Sequence, residues 1–298
     1  YELAFVELIG EHGPAESLPV MAPKSVLNDL RRQAVTLLTE QRAGSRRHEI
    51  REPDALEALR KTIESQPSET AANLCVLART IEQFRALLES PAALSMIYGD
   101  FADLKDYAKA AEAARAVRRP FGLALPHILH VHEDKLLDTI TAASPDVVLV
   151  RNLGSLQYLR QRHSNLAMVG DFSLNVANEI TAAVLTEMPL VRLTPSNDAN
   201  WPQLNEWLRH YPADRLEVVV HQHMPMFHIR HCLYAAHLSE GRDCSDCGRP
   251  CSQHSVRLRD RNGVENPVIA DVGGRNTIFN AIVQTAADHI PALRQAGA

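Results

Sequence analysis

Four cysteines lie close together in the chain, at Cys232, Cys244, Cys247 and Cys251. Thiolates bind soft or borderline metals strongly, and short spacings let one stretch of backbone present several sulfurs to a single site. A Cys-x2-Cys-x3-Cys run with a fourth cysteine a loop away supplies the four thiolates that iron–sulfur clusters and structural zinc both require. The sequence therefore predicts a metal centre, with an iron–sulfur cluster of the 4Fe–4S type first, zinc second and a metal-free segment third.

Two histidines and a fifth cysteine need separate interpretations. His228 and His231 are candidates for a ligand that replaces one sulfur, and packing within the fold is the alternative for both. Cys75 lies within an apolar run, which is typical of a buried core residue.

The elements that must position these side chains follow a regular rhythm from about residue 71. Short apolar runs alternate with amphipathic stretches at a period of roughly 25 residues, the spacing of βα units. The predicted strands are 73–78, 94–98, 121–125, 147–150, 167–169, 190–193 and 216–220. The predicted helices between them are 81–88, 104–117, 133–142, 155–161, 176–186 and 203–209. This order predicts an α/β fold, a TIM-like βα barrel that is complete or degenerate. An open doubly wound sheet is the alternative, weakened because no glycine-rich dinucleotide fingerprint follows any strand.

We divide the chain into three regions. Residues 1–66 are expected to be a fragment of a preceding domain or a linker, with a strand over residues 3–9 and a helix over 24–40. Residues 67–230 form the barrel-like domain. Residues 231–298 form a cysteine-rich metal-binding extension with a β-hairpin at Asn262-Gly263 and a final helix over 278–287. Because the chain begins at Tyr1 and enters an apolar run at once, we expect it to be a piece of a longer protein.

Polar side chains follow the predicted strands, where parallel βα architectures place their chemistry. From these strand ends and the histidine-rich segment we take Asp171, Asn175, Asn178, His221 and His228 as catalytic candidates. Helix capping is the alternative role for each of the strand-end residues.

Composition excludes several classes of function. The formal net charge is −5, so no global field draws the protein to nucleic acid or anionic lipid. No apolar run approaches the roughly 20 residues that span a bilayer. With no signal peptide at the start, the expected location is the cytoplasm.

Several segments of the sequence carry a resemblance to a known family. They are residues 224–228, 231–232, 246–251, 258–261 and 270–280, with further similarity at 171–178 and 18–32. These segments resemble the peptidase family of unassigned catalytic type, family U32, whose members are often labelled collagenase-like proteases. The similarity is closest to the C-terminal half of the long members.

The resemblance implies a barrel domain with a set of cysteines at matching positions, here Cys232, Cys247 and Cys251. Several members of the family are iron–sulfur proteins that hydroxylate ribosomal RNA, transfer RNA or a quinone precursor without oxygen, with prephenate as the hydroxyl source in some. The long members have cysteine where this sequence has Gly274. Cys244 is the candidate for the replacing thiolate. Otherwise the site has three cysteines, is completed by histidine, or is lost.

Three hypotheses about function follow. The first is an iron–sulfur-dependent hydroxylase of RNA or of a small aromatic compound. The second is a collagenase-like protease, for which Cys232 beside His231 is a weak dyad because sequence neighbours rarely act together. No Gly-x-Ser-x-Gly or His-Glu-x-x-His signature occurs. The third is a non-catalytic half that binds RNA or docks to the N-terminal half of the full-length protein.

Overall fold

The computed structural model describes residues 9–10, 13–14, 23–45, 50–63, 72–163 and 165–297. The chain divides into two compact units, residues 1–55 and residues 56–298. The predicted strand over residues 3–9 lies outside the described residues except for its last position, Ile9. The predicted boundary near residue 66 stays a prediction.

The described part of the first unit contains a minimal antiparallel pair and one long helix. Strand β1 (Ile9–Gly10) pairs with strand β2 (Gly13–Pro14), and helix α1 spans Lys24–Ser45. Helix α1 confirms the helix predicted over 24–40 and continues for five more residues, to Ser45.

The second unit contains all of helix α2 (Ala55–Thr62) except its first residue, and an alternation of strands and helices follows this helix. The strands are β3 (Cys75–Ala78), β4 (Met96–Gly99), β5 (Phe121–Ala124), β6 (Val147–Val150), β7 (Ala167–Gly170) and β8 (Leu190–Leu193). The helices are α3 (Ile81–Glu89), α4 (Leu104–Ala116), α5 (Asp134–Ala142), α6 (Leu153–Arg162), α7 (Glu179–Thr186) and α8 (Trp201–Trp207). Short 3₁₀ turns occur at Phe172–Leu174 and Ala213–Arg215.

The six strands form one parallel sheet in which the spatial order follows the chain order, β3 to β8. A doubly wound sheet reverses its strand order at a switch point, and this sheet has no reversal. The mixed α/β fold with alternating strands and helices is therefore confirmed. The seventh predicted strand, 216–220, is reduced to one parallel bridge between Leu193 and Leu216.

The two faces of the sheet are packed differently. On one face, strand residues such as Ile97, Leu123 and Val148 join the large core that contains Phe84 and Leu137 from the helices. On the other face a smaller cluster forms from alternate strand positions, Tyr98, Ala124, Val147, Leu149 and Val169. Successive side chains of a strand point to opposite faces of the sheet. The helices pack on one face, and the smaller cluster lies on the other, inward face.

The inward face is strongly curved. The hydroxyl of Tyr98 in the second strand donates to Glu217 Oε1 at 2.8 Å, although Glu217 follows the bridge beyond the sixth strand. In a flat sheet these positions would be five strand spacings apart, roughly 24 Å. Arg192 Nε also donates to Glu217 Oε1, at 2.7 Å, so a polar network crosses the inner face. Within the described residues no ladder joins β3 to residues 216–220, so closure of the predicted barrel is not confirmed.

A second, antiparallel sheet follows, in the order β10-β11-β12-β9. Its strands are β9 (His221–Ile229), β10 (Val256–Arg259), β11 (Glu265–Ala270) and β12 (Asn276–Thr285). Helix α9 (Leu233–Leu238) and a 3₁₀ turn at Pro250–Ser252 lie between β9 and β10. The predicted division at residues 230/231 therefore falls within the span of this sheet.

The end of the chain corrects one prediction and supports another. The final helix predicted over 278–287 is wrong, because 278–285 belong to β12, where β-branched residues such as Ile278 and Val283 pair with β9. The C-terminal helix is α10 (Ile290–Ala296), after a 3₁₀ turn at Ala287–His289. The predicted hairpin joins β10 to β11, and Gly263 adopts φ +83° in its turn.

The described helices include none whose length and apolar character would let it cross a bilayer.

Candidate functional site

Arg151 is the centre of a buried charge network at the carboxyl ends of the parallel strands. It follows β6, and its side chain is 2% exposed. Its NH2 lies 2.9 Å from Asp100 Oδ2, after β4, and its Nε lies 2.7 Å from Asp171 Oδ2, after β7. A second arginine, Arg79 after β3, places NH1 2.6 Å from the same oxygen of Asp100. The ends of four strands, β3, β4, β6 and β7, thus contribute to one network.

The charges of this network stabilise one another. Burial alone would raise the pKa of Asp100, but Arg151 and Arg79 outweigh burial and hold that pKa well below its usual range. Burial also opposes the charge of Arg151, and the two aspartates raise its pKa in turn. Both groups are therefore ionised at neutral pH, and each depends on its partners to remain so.

Two histidines form an aromatic contact beside the network. His127, after β5, packs edge-on against His228 of β9 with ring centroids 5.1 Å apart, and it lies 5.6 Å from the ring of Phe172. Burial first, and then the charge of Arg151, lowers the pKa of His127 to about 2. Burial also lowers the pKa of His228, so both imidazoles are uncharged at neutral pH.

The titration of His127 gives a testable pH dependence. Because its pKa is 6.5 in the unfolded chain and about 2 when folded, the unfolded chain binds more protons between these values. Stability should therefore be full above pH 6.5 and fall as pH drops below it, by about 1 kcal/mol per pH unit. We expect urea unfolding of His127→Gln to show a shallower fall between pH 6.5 and 5. The exposed His254→Gln is the control, and parallel curves for wild type and His127→Gln would contradict the prediction.

The turn between β11 and β12 covers the strand ends. Asp271 Oδ1 accepts hydrogen bonds from the backbone amides of Gly273 (2.8 Å) and Arg275 (2.9 Å), which fixes the turn. His228 Nδ1 lies 2.7 Å from Thr277 Oγ1 on the neighbouring strand. Asp271 and Thr277, together with Asp100, His127 and Arg151, line a cavity of about 10 Å³, which holds roughly one water-sized group.

A buried arginine lies within the same turn. Arg275 is 2% exposed and its NH2 is paired with Glu133 Oε2, which also accepts from the backbone amide of His130. A side chain at Gly273 would begin 2.1 Å from Arg275 NH1 and would displace this guanidinium from its present position. Burial raises the pKa of Asp271 despite the amides and Arg275 beside it.

The cysteine segment lies next to this turn. Cys244 Sγ is 3.9 Å from the carbonyl oxygen of Gly273, and Cys232 Sγ is 3.7 Å from Asn276 Nδ2. Gly274 has φ +71°, and a side chain there would begin 2.9 Å from Cys244 Cβ and 3.4 Å from its sulfur. Cys244 thus occupies the space that a side chain at position 274 would enter.

Arg249 fastens the cysteine segment to the strand ends. It lies between Cys247 and Cys251 in a left-handed conformation, φ +58°. Its NH2 donates to the carbonyl oxygen of Ala102 at 2.9 Å, and its NH1 lies 3.1 Å from Asp103 Oδ2 in the segment that follows β4.

The four thiols are of a type that binds soft or borderline metals. Burial raises the pKa of Cys251, and the neighbouring Cys232 and Cys247 raise it further, while Arg249 opposes them. Burial, Asp243 and Cys247 raise the pKa of Cys244. Such thiols repel one another as thiolates, and a bound cation is what would favour their ionised form. Among the residues the structure describes, no three possible ligands are placed closely enough to hold one ion, so binding would require these side chains to converge.

The structure separates the five predicted catalytic candidates. Asp171 and His228 reach the strand-end site. Asn178 caps α7 by accepting from the amide of Thr181, and Asn175 ends a 3₁₀ turn in the left-handed region. His221 is exposed at the start of β9, and His231 is exposed before Cys232. As a possible metal ligand, His228 stays a prediction, with one ring nitrogen bonded to Thr277.

Sequence reasoning missed the contribution of the β11–β12 turn. Asp271, Arg275 and Thr277 were recognised only as part of a family-like segment, and Glu133 and Arg79 were not considered. Spacing offered no signal for them, since Glu133 and Arg275 are 142 residues apart.

Comparison with known proteins places most of the second unit in one family. Residues 99–298 match the family model of peptidase family U32. Among solved structures, the U32 peptidase Mk0906 is 12% identical, with 54% of this chain and 73% of that chain covered and a TM-score of 0.40. Thiamine phosphate pyrophosphorylase from Pyrococcus furiosus is 15% identical, with 49% of this chain and 72% of that chain covered and a TM-score of 0.36. An uncharacterized protein from B. cereus is 11% identical, with 53% of this chain and 50% of that chain covered and a TM-score of 0.37. No curated protein matches the chain.

Proposed function

Because the chain belongs to peptidase family U32, we propose that it is an iron–sulfur-dependent hydroxylase acting on RNA or on a small aromatic compound. One observation carries the proposal. The β11–β12 turn touches Cys244 through Gly273 and lines the strand-end cavity through Asp271. A redox centre at the cysteines would therefore lie next to a substrate site at the strand ends.

Cys232, Cys244, Cys247 and Cys251 would hold the cluster, with zinc as the alternative metal. Cys244 takes the place of the cysteine that the long members have at position 274, and the close approach of Cys244 to Gly274 supports this replacement. When bound, the cluster supplies the electron transfer that insertion of a hydroxyl group requires. The cytoplasm, where thiols stay reduced, remains our prediction for the location.

The chain's own residues would bind and orient the substrate. Arg151 keeps Asp100 and Asp171 fixed, and the edge-on pair of His127 and His228 presents an uncharged aromatic surface beside the cavity. We also propose that the curved sheet is a degenerate βα barrel, since Tyr98 reaches Glu217 across its inner face. The covered strand ends would then be the barrel mouth.

The charge of the site limits the substrate. Three arginines, Arg79, Arg151 and Arg275, face four carboxylates, those of Asp100, Asp171, Asp271 and Glu133, which gives a formal charge of −1. Prephenate carries two carboxylates, so this cavity is a poor site for it, and a hydroxyl donor of that kind would have to bind elsewhere.

The protease alternative has less support. Within the described chain the cysteine sulfurs hydrogen-bond to Gly273, Arg249 and Asn276, and no histidine nitrogen pairs with them. A cysteine nucleophile needs such a base within hydrogen-bonding reach.

The proposal is tested by comparing RNA from cells with and without the protein. Mass spectrometry of digested ribosomal and transfer RNA should reveal a hydroxylated nucleoside that is lost on deletion and restored by the wild-type chain. A Cys247→Ser chain should not restore it, whereas a Cys75→Ser chain should, because Cys75 lies in β3, outside the cysteine segment. Unchanged RNA, with no hydroxylated small aromatic product missing from the same cells, would contradict the proposal.

A further inference from the structure

Arg249 has a backbone conformation that few residues other than glycine adopt. It lies between Cys247 and Cys251, and its φ of +58° is in the left-handed region. For an arginine this conformation costs free energy, so the surrounding contacts have to maintain it. Strained residues of this kind are concentrated at functional sites, and this one lies inside the set of candidate metal ligands.

The conformation of Arg249 directs its backbone amide at a cysteine sulfur. The amide donates to Cys247 Sγ, with 3.4 Å between nitrogen and sulfur. The carbonyl oxygen of Arg249 accepts from the backbone amide and the hydroxyl of Ser252, at 3.0 and 2.8 Å. One of its peptide groups is thus fixed against Cys247 and the other against the 3₁₀ turn that contains Cys251. Hydrogen bonds to ligand sulfurs are among the contacts that tune a thiolate metal centre.

The side chain of Arg249 holds this arrangement against a distant part of the chain. Its NH2 donates to the carbonyl oxygen of Ala102 at 2.9 Å, and its NH1 lies 3.1 Å from Asp103 Oδ2. The other carboxylate oxygen of Asp103 accepts from the amide of Lys105 and caps α4. The planar fork of an arginine suits such a contact with two acceptors, which the single ammonium of a lysine does not reproduce.

The segment that receives Arg249 is held in place by packing. Phe101, directly before Ala102, is 2% exposed and packs edge-on against Phe84 and Tyr107, with ring centroids 6.0 and 5.2 Å away. A side chain at Gly99 would begin 2.5 Å from the ring of Phe101, so the space around this ring is filled. The guanidinium is therefore attached to a part of the fold that has little freedom to move.

A fixed attachment matters because the candidate ligands have to converge. Within the described part of the chain no group of three is close enough to hold one ion. Cys247 and Cys251 flank the attached residue Arg249, whereas Cys244 is exposed. A binding set gains affinity when part of it is held in place beforehand, because less freedom is lost on binding.

From these contacts we propose that Arg249 is a positioning residue for the metal centre, and that Asp103 acts on Cys247 through it. The inference rests on the proposed function only for a metal bound by thiolates, whether that metal is iron or zinc. Without the guanidinium contacts all thiols remain, but the backbone amide of Arg249 is no longer held against Cys247 Sγ. A contact that served folding alone would change stability and leave metal affinity as it is.

The experiment measures Co²⁺ binding to the reduced, metal-free full chain, because cobalt bound by thiolates absorbs near-ultraviolet and visible light. Asp103→Asn removes the charge that faces Arg249 and keeps a side-chain oxygen to cap α4. Arg249→Asn keeps the backbone amide in a residue type that tolerates the left-handed region. Arg249→Lys keeps the charge without the fork. The matched control is Asp106→Asn, whose partner Lys109 also lies in α4.

We expect Asp106→Asn to bind Co²⁺ as tightly as the wild type and Arg249→Asn to bind it about tenfold more weakly. For Asp103→Asn we expect about threefold weaker binding, because the ion pair is partly exposed. Arg249→Lys should recover part of the loss. If Arg249→Asn does not fold, Asp103→Asn decides the question.

Equal Co²⁺ affinity in all these chains, with or without a change in thermal unfolding, would overturn the proposal. A wild type that shows no thiolate–cobalt absorption would overturn it as well. The measurement needs neither iron nor turnover. A chain with the expected cobalt affinities but unchanged RNA and no missing aromatic product would therefore contradict the proposed function and leave the role of Arg249 standing.

Discussion

Replacing Arg151 with methionine is expected to lower the free energy of unfolding at pH 7 by about 3–5 kcal/mol. Methionine keeps the length of the apolar stem and removes the charge. Asp100 and Asp171, which are 9% and 7% exposed, would then lose the buried cation that pairs with both of them, and Arg79 would be the cation left beside Asp100. Urea unfolding followed by circular dichroism measures the change.

The pH dependence separates lost charge compensation from lost packing. The folded-state pKa of Asp100 is depressed below 3.8, so its contribution to stability is present above pH 3.8 and is lost as pH falls below that value. The deficit of Arg151→Met should therefore shrink on acidification. The control is Arg259→Met, whose ion pair with Glu265 lies at the surface, so this substitution is expected to change the free energy of unfolding little. Equal effects of the two substitutions would contradict the described network.

Replacing Gly241 with alanine is expected to cost about 1–3 kcal/mol and to move the turn that carries Cys244 and Cys247. A Cβ atom at position 241 would lie 2.5 Å from the Cα of Cys247 and 2.6 Å from the carbonyl of Asp246. Both contacts are with backbone, so the turn itself has to shift. The shift should lower the midpoint of thermal unfolding and change the rate at which an aromatic disulfide reagent modifies the thiols.

Gly44→Ala is the matched control for this substitution. Nothing lies within 4 Å of a Cβ at position 44, which is in α1, and alanine is a better helix former than glycine. This control should be neutral or stabilising. If Gly241→Ala behaves in the same way, Gly241 and Cys247 are not in close contact.

Local patterns in the sequence were sufficient for most of the parallel sheet. Runs such as Val147–Val150 are apolar throughout because both faces of the strand are buried, and this signal does not depend on distant residues. The sequence analysis did not predict strands β9 and β12. Buried and exposed side chains do not alternate regularly along β9, and the pairing of β12 with β9 contains register shifts. An irregular pattern cannot be distinguished from a helix by periodicity alone.

The candidate site was only partly predictable, for a related reason. Four of the five cysteines lie within 20 positions of one another, so a common metal site can be predicted from their spacing. The pairing of Arg275 with Glu133, and of Asp271 with His228, depends on how the second sheet packs over the strand ends. The close approach of Cys244 to Gly274 likewise became visible only through the left-handed turn at Gly274.

The central claim is that the four clustered cysteines hold an iron–sulfur cluster, and the most direct test is anaerobic purification followed by iron, sulfide and zinc analysis with a visible absorption spectrum. We expect brown protein with matching amounts of iron and sulfide, lost in Cys247→Ser and kept in Cys75→Ser, the cysteine of β3. Colourless protein with one zinc ion would make the site structural. Metal-free wild-type protein would contradict the account and favour a non-catalytic half that binds RNA or docks to the rest of a longer protein.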